Sequence, residues 1–175
     1  MAFEVLAPDI DETALPQERP AETAVRLAEA KARAVARLHR DALVVGSDQI
    51  ADLAGKAIGK PRDRADALEQ LRAMRGRTVV FHTALALVNA ATGVCRAALV
   101  DVASTFRQLD DAALEDYLDR ERPFDCAGSV KSEALGIALF TRIASDDPTA
   151  LIGLPLIRLV DLLEAEGVRP LTAAG

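Results

Sequence analysis

Several short stretches of this sequence carry side chains suited to an anionic substrate. Lys31 is the most informative. Advancing 100° per residue, Ala24, Leu27, Ala28, Ala34, Val35 and Leu38 fall within about 60° of it, so the lysine sits amid an apolar helix face. It either snorkels to the rim of a core or borders a cleft and aims its ammonium at an anion. Gly46-Ser47-Asp48-Gln49 follows the apolar run Ala42-Leu43-Val44-Val45. A carboxylate at the end of a buried strand stands where α/β proteins form ligand sites. The bland alternative is a turn aspartate bonded to its own backbone. Gly59-Lys60-Pro61 places another lysine in a loop, as a point charge for phosphate or a solvated side chain. With Gly55 it superficially resembles a phosphate loop. It is one residue short, however, and Pro61 stands where a Ser or Thr hydroxyl is required, so a P-loop is excluded.

Asp11-Glu12 adds an acidic pair, and Ala127-Gly128-Ser129-Val130-Lys131-Ser132-Glu133 a small-residue loop ending in charges. Each signal is weak alone. Together they equip a site for a metal–triphosphate. Carboxylates hold Mg²⁺ or Mn²⁺, lysines neutralise phosphate oxygens, and one carboxylate activates water.

The elements that must position these groups read as α/β. Residues 3–6 look extended and residues 8–20 read as a loop. A helix is predicted over 20–40, a strand over 42–46, and a helix over 63–75 capped by Asp63, with Ala67, Leu68, Leu71 and Met74 as its apolar stripe. Residues 77–89 and 94–106 read as an antiparallel hairpin about a polar turn. A helix capped by Asp110 follows, then a strand over 137–143. A last helix is expected to open at Asp147-Pro148 and to stop at Gly167. The expectation is one domain over 1–175: a mixed, twisted sheet flanked by helices.

Composition narrows the function classes. The 175 residues are 50% hydrophobic and 27% charged, with a net charge of −6. An acidic chain lacks the broad basic face that long nucleic acids require. The aromatics Phe3, Phe81, Phe106, Phe124, Phe140 and Tyr117 are too sparse for a stacking platform. Cys95 and Cys126, with His39 and His82, make no zinc spacing and read as reduced thiols. No apolar run reaches a membrane span and no signal peptide is evident, so a cytoplasmic protein is expected.

The ordered string of motifs resembles the Maf family of nucleoside-triphosphate pyrophosphatases. The matching elements are Asp11-Glu12, Lys31-Ala32, Gly46-Ser47-Asp48-Gln49, Gly59-Lys60-Pro61, Gly76-Arg77-Thr78 with Thr83, Asp125-Cys126-Ala127-Gly128, and Gly153-Leu154-Pro155. Gln49, Glu133 and Asp146-Asp147-Pro148 resemble the subgroup acting on 7-methyl-GTP. The dTTP/UTP subgroup has Thr and Gln at the positions of Gln49 and Glu133.

The resemblance implies a two-lobed fold with a central cleft and hydrolysis between the α- and β-phosphates. It implies Asp48 as proton acceptor, and Lys31 and Lys60 on the triphosphate. Glu12 and Asp48 would hold a divalent cation, Mg²⁺ or Mn²⁺. Gln49 and Glu133 would read the base, with Ser47, Arg77 and Lys131 assisting. A homodimer is also implied. Two departures stand out. Ala134 follows Glu133 where the subgroup tends to have Gly, and nothing matches the family's opening Leu-Ala-Ser-x-Ser-x-x-Arg-Arg; Phe3-Glu4-Val5-Leu6 resembles its second strand. The second departure keeps open a catalytically impaired nucleotide-binding or cell-division regulatory module, and a dTTP/UTP pyrophosphatase is a further alternative.

Overall fold

The structure is a computed structural model and describes residues 2–171. Its elements are α1 (Pro20–Ala36), β1 (Leu43–Leu53), β2 (Lys56–Ile58), α2 (Arg64–Met74), β3 (Thr78–Asn89), β4 (Cys95–Phe106), α3 (Asp111–Glu121), β5 (Phe140–Ala144) and α4 (Leu156–Ala165). Short 3-10 turns at Ala127–Ser129, Leu135–Leu139 and Ala150–Ile152 link the later elements. The strands form one sheet in the order β2-β1-β3-β4-β5. Helices flank it, as expected. The expected mixture of strand directions is corrected: every pairing is antiparallel. The cause is connectivity. β1–β2 and β3–β4 are hairpins, and α2 returns the chain beside β1 running the opposite way.

The two faces of the sheet are covered differently. On one face α1 lays Ala24, Ala28 and Ala32 against Val44, Ala84, Ala86 and Val88. Gly46 permits this close approach. A Cβ there would lie 2.3 Å from the Ala28 carbonyl oxygen and 2.7 Å from the Ala32 nitrogen. On the other face Leu68, Leu71 and Met74 of α2 and Leu114, Tyr117 and Leu118 of α3 pack with Phe81, Val102, Phe106 and Phe140. That layer buries larger side chains and so more apolar area per residue.

The caps at Asp63 and Asp110 form as expected, accepting from Asp66 N at 2.8 Å and Ala113 N at 2.9 Å. Other boundaries move. Residues 3–6 join no strand, and Phe3 and Val5 are exposed. The first helix stops at Ala36, and Leu38 is exposed outside it. The strand expected over 42–46 continues to Leu53, because β3 offers a ladder that runs from Leu43↔Asn89 to Asp52↔Val80. The strand expected over 137–143 begins only at Phe140, after a 3-10 turn. The last helix does not open at Asp147. Gly153, at φ 115°, and Pro155 interrupt the chain first.

Asp147 still serves that last helix. Its Oδ2 accepts from Ile157 N at 2.8 Å, while Oδ1 accepts from the Thr149 hydroxyl at 2.6 Å and Thr149 N at 3.0 Å. Burial pushes its carboxyl up, but these hydrogen bonds outweigh burial and hold it below its ordinary value. No helix among the described residues is long and apolar enough to cross a membrane.

Candidate active site

Asp48 lies in mid-strand, not at a strand end. It shares the α1-facing side of β1 with Val44 and Gly46. The alanine layer holds α1 close enough for Lys31 Nζ to donate to Asp48 Oδ1 at 2.6 Å. The ammonium also meets Glu12 Oε1 at 2.7 Å, so two carboxylates of the chain itself hold it. Glu12 arrives from the N-terminal loop, which is tied to α1. Arg26 donates to Glu18 at 2.6 Å and to the Thr13 carbonyl at 3.0 Å, and Asp11 closes a turn by accepting from Thr13 N at 2.9 Å.

The charges tune one another. Burial pushes the Asp48 carboxyl above its ordinary value, and the Lys31 ammonium only partly offsets this. Burial pulls Lys31 down, but its hydrogen bonds to Asp48 and Glu12 prevail and raise it. The hydrogen bond from Lys31 lowers Glu12. Lys60 is exposed, forms no ion pair among the described residues, and lies within electrostatic reach of both Glu12 and Asp48. Asp48 Oδ2 has no hydrogen-bond partner among the described residues and is not sealed in the interior. The cluster thus holds a buried carboxylate with one oxygen open, flanked by an anchored cation and an exposed one.

Its chemistry also suits a divalent cation. Glu12 and Asp48 direct hard oxygens at one cationic point, the Lys31 ammonium. Two carboxylates, completed by water and substrate phosphate, are an ordinary Mg²⁺ donor set. No grouping of three or more His, Cys, Asp or Glu ligands occurs among the described residues. Water and substrate phosphate would supply the remaining oxygens of a cation held there.

Gln49 faces the opposite side of the sheet. Its Nε2 donates to Thr83 Oγ1 at 2.8 Å, the Ala150 carbonyl at 3.0 Å and the Leu151 carbonyl at 3.2 Å. Ser47, on the same side, lies 2.7 Å from the carbonyls of both Ala84 and Gly153. These groups dock the 150–153 turn onto β1. The expected site therefore splits into a charged half beneath α1 and an amide half against this turn. The halves lie on opposite faces of β1. Only 51–53 pair with β2, so the edge along 43–50 is unpaired among the described residues.

The remaining predicted residues are dispersed. Arg77 bonds the Ala73 carbonyl at the end of α2. It precedes β3 and stands seven residues along the chain from Ala84, which pairs with Asp48. Lys131 is paired with Asp125 at 3.2 Å. Glu133 is exposed and makes no hydrogen bond or ion pair among the described residues. Lys60 and the 127–133 loop do approach: Gly128 N donates to the Gly59 carbonyl at 3.2 Å. Cys95 and Cys126 are free, and burial raises both thiols, Cys126 to about 11.

Thr83 was legible only as part of a motif. Its burial and its bonds to Gln49 and to the Ala150 carbonyl at 2.9 Å make it part of the amide half. A cavity of about 680 Å³ lined by Arg33, Arg37, Arg40 and Asp41 lies at the far end of α1 and includes none of these groups.

Comparison with known proteins adds relatives. Residues 1–166 match the family described as Maf-like protein. The 7-methyl-GTP pyrophosphatase of Aromatoleum aromaticum is 57% identical over 168 residues, covering 96% of this chain and 87% of that protein. That of Thiobacillus denitrificans is 55% identical over 172 residues, covering 98% and 86%. That of Cupriavidus metallidurans is 57% identical over 165 residues, covering 94% and 83%.

Proposed function

This chain belongs to the Maf family, and on that premise we propose that it hydrolyses 7-methyl-GTP to 7-methyl-GMP and pyrophosphate. The observation that carries the reading is the Lys31–Asp48 contact of 2.6 Å with Glu12 on the same ammonium. Nucleotide hydrolysis needs a base beside fixed positive charge, and this cluster provides both.

Asp48 takes a proton from water through its open Oδ2. The water oxygen bonds to the α-phosphorus, the bond to the bridging oxygen breaks, and pyrophosphate leaves with the electron pair. Burial makes the ionised Asp48 a stronger base than an exposed aspartate. Lys31 holds Asp48 in place and offsets charge on the phosphates, and Lys60 reaches them from the loop. A divalent cation held by Glu12 and Asp48 would supply further neutralisation of phosphate oxygens.

The base is read by Gln49 and Glu133. Their oxygens accept from the N1–H and N2–H₂ edge of guanine, and the carboxylate also answers the positive charge that 7-methylation places on the ring. A nucleotide engaging both halves of the site crosses the unpaired edge of β1. Ser47 shapes that edge.

The test is pyrophosphate release with Mg²⁺ or Mn²⁺ from 7-methyl-GTP, GTP, dTTP and UTP. Preference for 7-methyl-GTP, with a loss of about 10³-fold in Asp48→Asn, is expected. Equal turnover of all substrates removes the base assignment. An Asp48→Asn chain as active as the parent removes the base mechanism.

A further inference from the structure

The amide of Gln49 is held by groups of fixed hydrogen-bond polarity. The carbonyls of Ala150 and Leu151 can only accept, so the atom facing them at 3.0 and 3.2 Å must be the NH₂ nitrogen. Thr83 is arranged in the same sense. Its hydroxyl has one proton, which it gives to the Ala150 carbonyl at 2.9 Å, leaving a lone pair that accepts from Gln49 Nε2 at 2.8 Å. Thr83 is fully buried and pairs with Gln49 directly across the β1–β3 ladder. Gln49 Oε1 has no hydrogen-bond partner among the described residues and is not sealed in the interior. The side chain therefore offers an incoming base an acceptor and no donor.

We propose that Thr83 is a positioning residue for base selection: with the 150–151 turn, it pins the Gln49 amide so that Oε1 alone faces the nucleotide. The ligand class is a base whose recognised edge carries N–H donors, such as 7-methylguanine, and the disfavoured class is one with a ring-nitrogen acceptor there, such as adenine. This rests on the nucleotide reading above but does not depend on hydrolysis.

The experiment is calorimetric binding of 7-methyl-GMP and AMP to the full chain, Thr83→Val, Thr83→Ser and Gln49→Glu, with KM and kcat for 7-methyl-GTP alongside. Thr83→Val preserves volume and removes the relay. It should weaken 7-methyl-GMP about tenfold, the value of one buried hydrogen bond, and leave AMP unchanged. KM should rise more than kcat falls, and Thr83→Ser should restore both. Gln49→Glu keeps an acceptor but sets a carboxylate against two carbonyls, so it should also lose 7-methyl-GMP. Equal weakening of both nucleotides in Thr83→Val would mean a merely structural role and overturns the proposal. So does Gln49→Glu binding as tightly as the parent. A parent chain that selects 7-methyl-GMP yet releases no pyrophosphate refutes the hydrolase reading and leaves this one standing. A parent that does not discriminate the two refutes this one.

Discussion

The two faces of the sheet divide the work unequally. Beneath α2 and α3 the sheet buries Phe81, Leu71, Met74, Leu118 and Phe140, large side chains that interlock. Beneath α1 it buries little beyond Ala24, Ala28, Ala32, Ala84, Ala86 and valines. At about 25 cal/mol per Å² of apolar area, the first face supplies most of the hydrophobic stabilisation. The second gains proximity instead. A helix seated on alanines lies near the sheet, and that nearness lets Lys31 span to Asp48. The thin layer positions charge while the thick layer holds the fold.

Substitutions can break that division. Phe81→Ala empties space in the thick layer and should cost about 3–5 kcal/mol in urea unfolding. Nucleotide hydrolysis measured well below the denaturation midpoint should stay close to that of the parent. A larger loss of activity than of stability would show that the thick layer also shapes the charged cluster. Gly46→Ala should do the reverse. Its Cβ meets backbone atoms of Ala28 and Ala32, which cannot swing aside. The expected stability loss is about 1–3 kcal/mol. Hydrolysis should fall more than about tenfold as Lys31 is carried away from Asp48. Unchanged activity would mean that helix height does not set the Lys31–Asp48 contact.

Two pH measurements sharpen the contrast. Asp48 is raised by burial, so the acid limb of kcat/KM should lie above the 3.8 of an ordinary aspartate, activity falling as pH drops through it. Asp147 is displaced the other way, below 3.8. The folded state then binds its proton less readily than the unfolded chain does. Its stabilisation is therefore present above 3.8 and is lost as pH falls through the lower, folded value. Asp147→Asn should cost about 2 kcal/mol at neutral pH and flatten the acid side of the stability profile. A variant with the parent's acid profile would remove Asp147 from the acid transition.

Much of this was legible locally. Asp63 and Asp110 cap helices because cap chemistry acts over three residues, and the β3–β4 hairpin follows from two β-type runs about a polar turn. Lys31 on an alanine face announced its own exception. The extent of β1 was not legible, since Ser47-Asp48-Gln49 ends the apolar run while the β3 ladder carries the strand on. Nor were the partners of Gln49, which lie 101 and 102 residues away in a turn whose carbonyls have no sequence signature. Nor was the contact of Arg77 with the Ala73 carbonyl at the end of α2.

Gly46 also guards the reading frame of the strand. Asp48 and Gln49 are neighbours that must face opposite ways, and a one-residue slip of β1 against β3 would exchange them. Such a slip would also bring Val45 or Ser47 beneath Ala28, where even one added carbon would lie 2.3 Å from a carbonyl oxygen. The misaligned chain could not seat α1. The glycine that lets the helix approach thus also rejects the pairing error that would put the Asp48 carboxylate and the Gln49 amide on the wrong sides of the sheet.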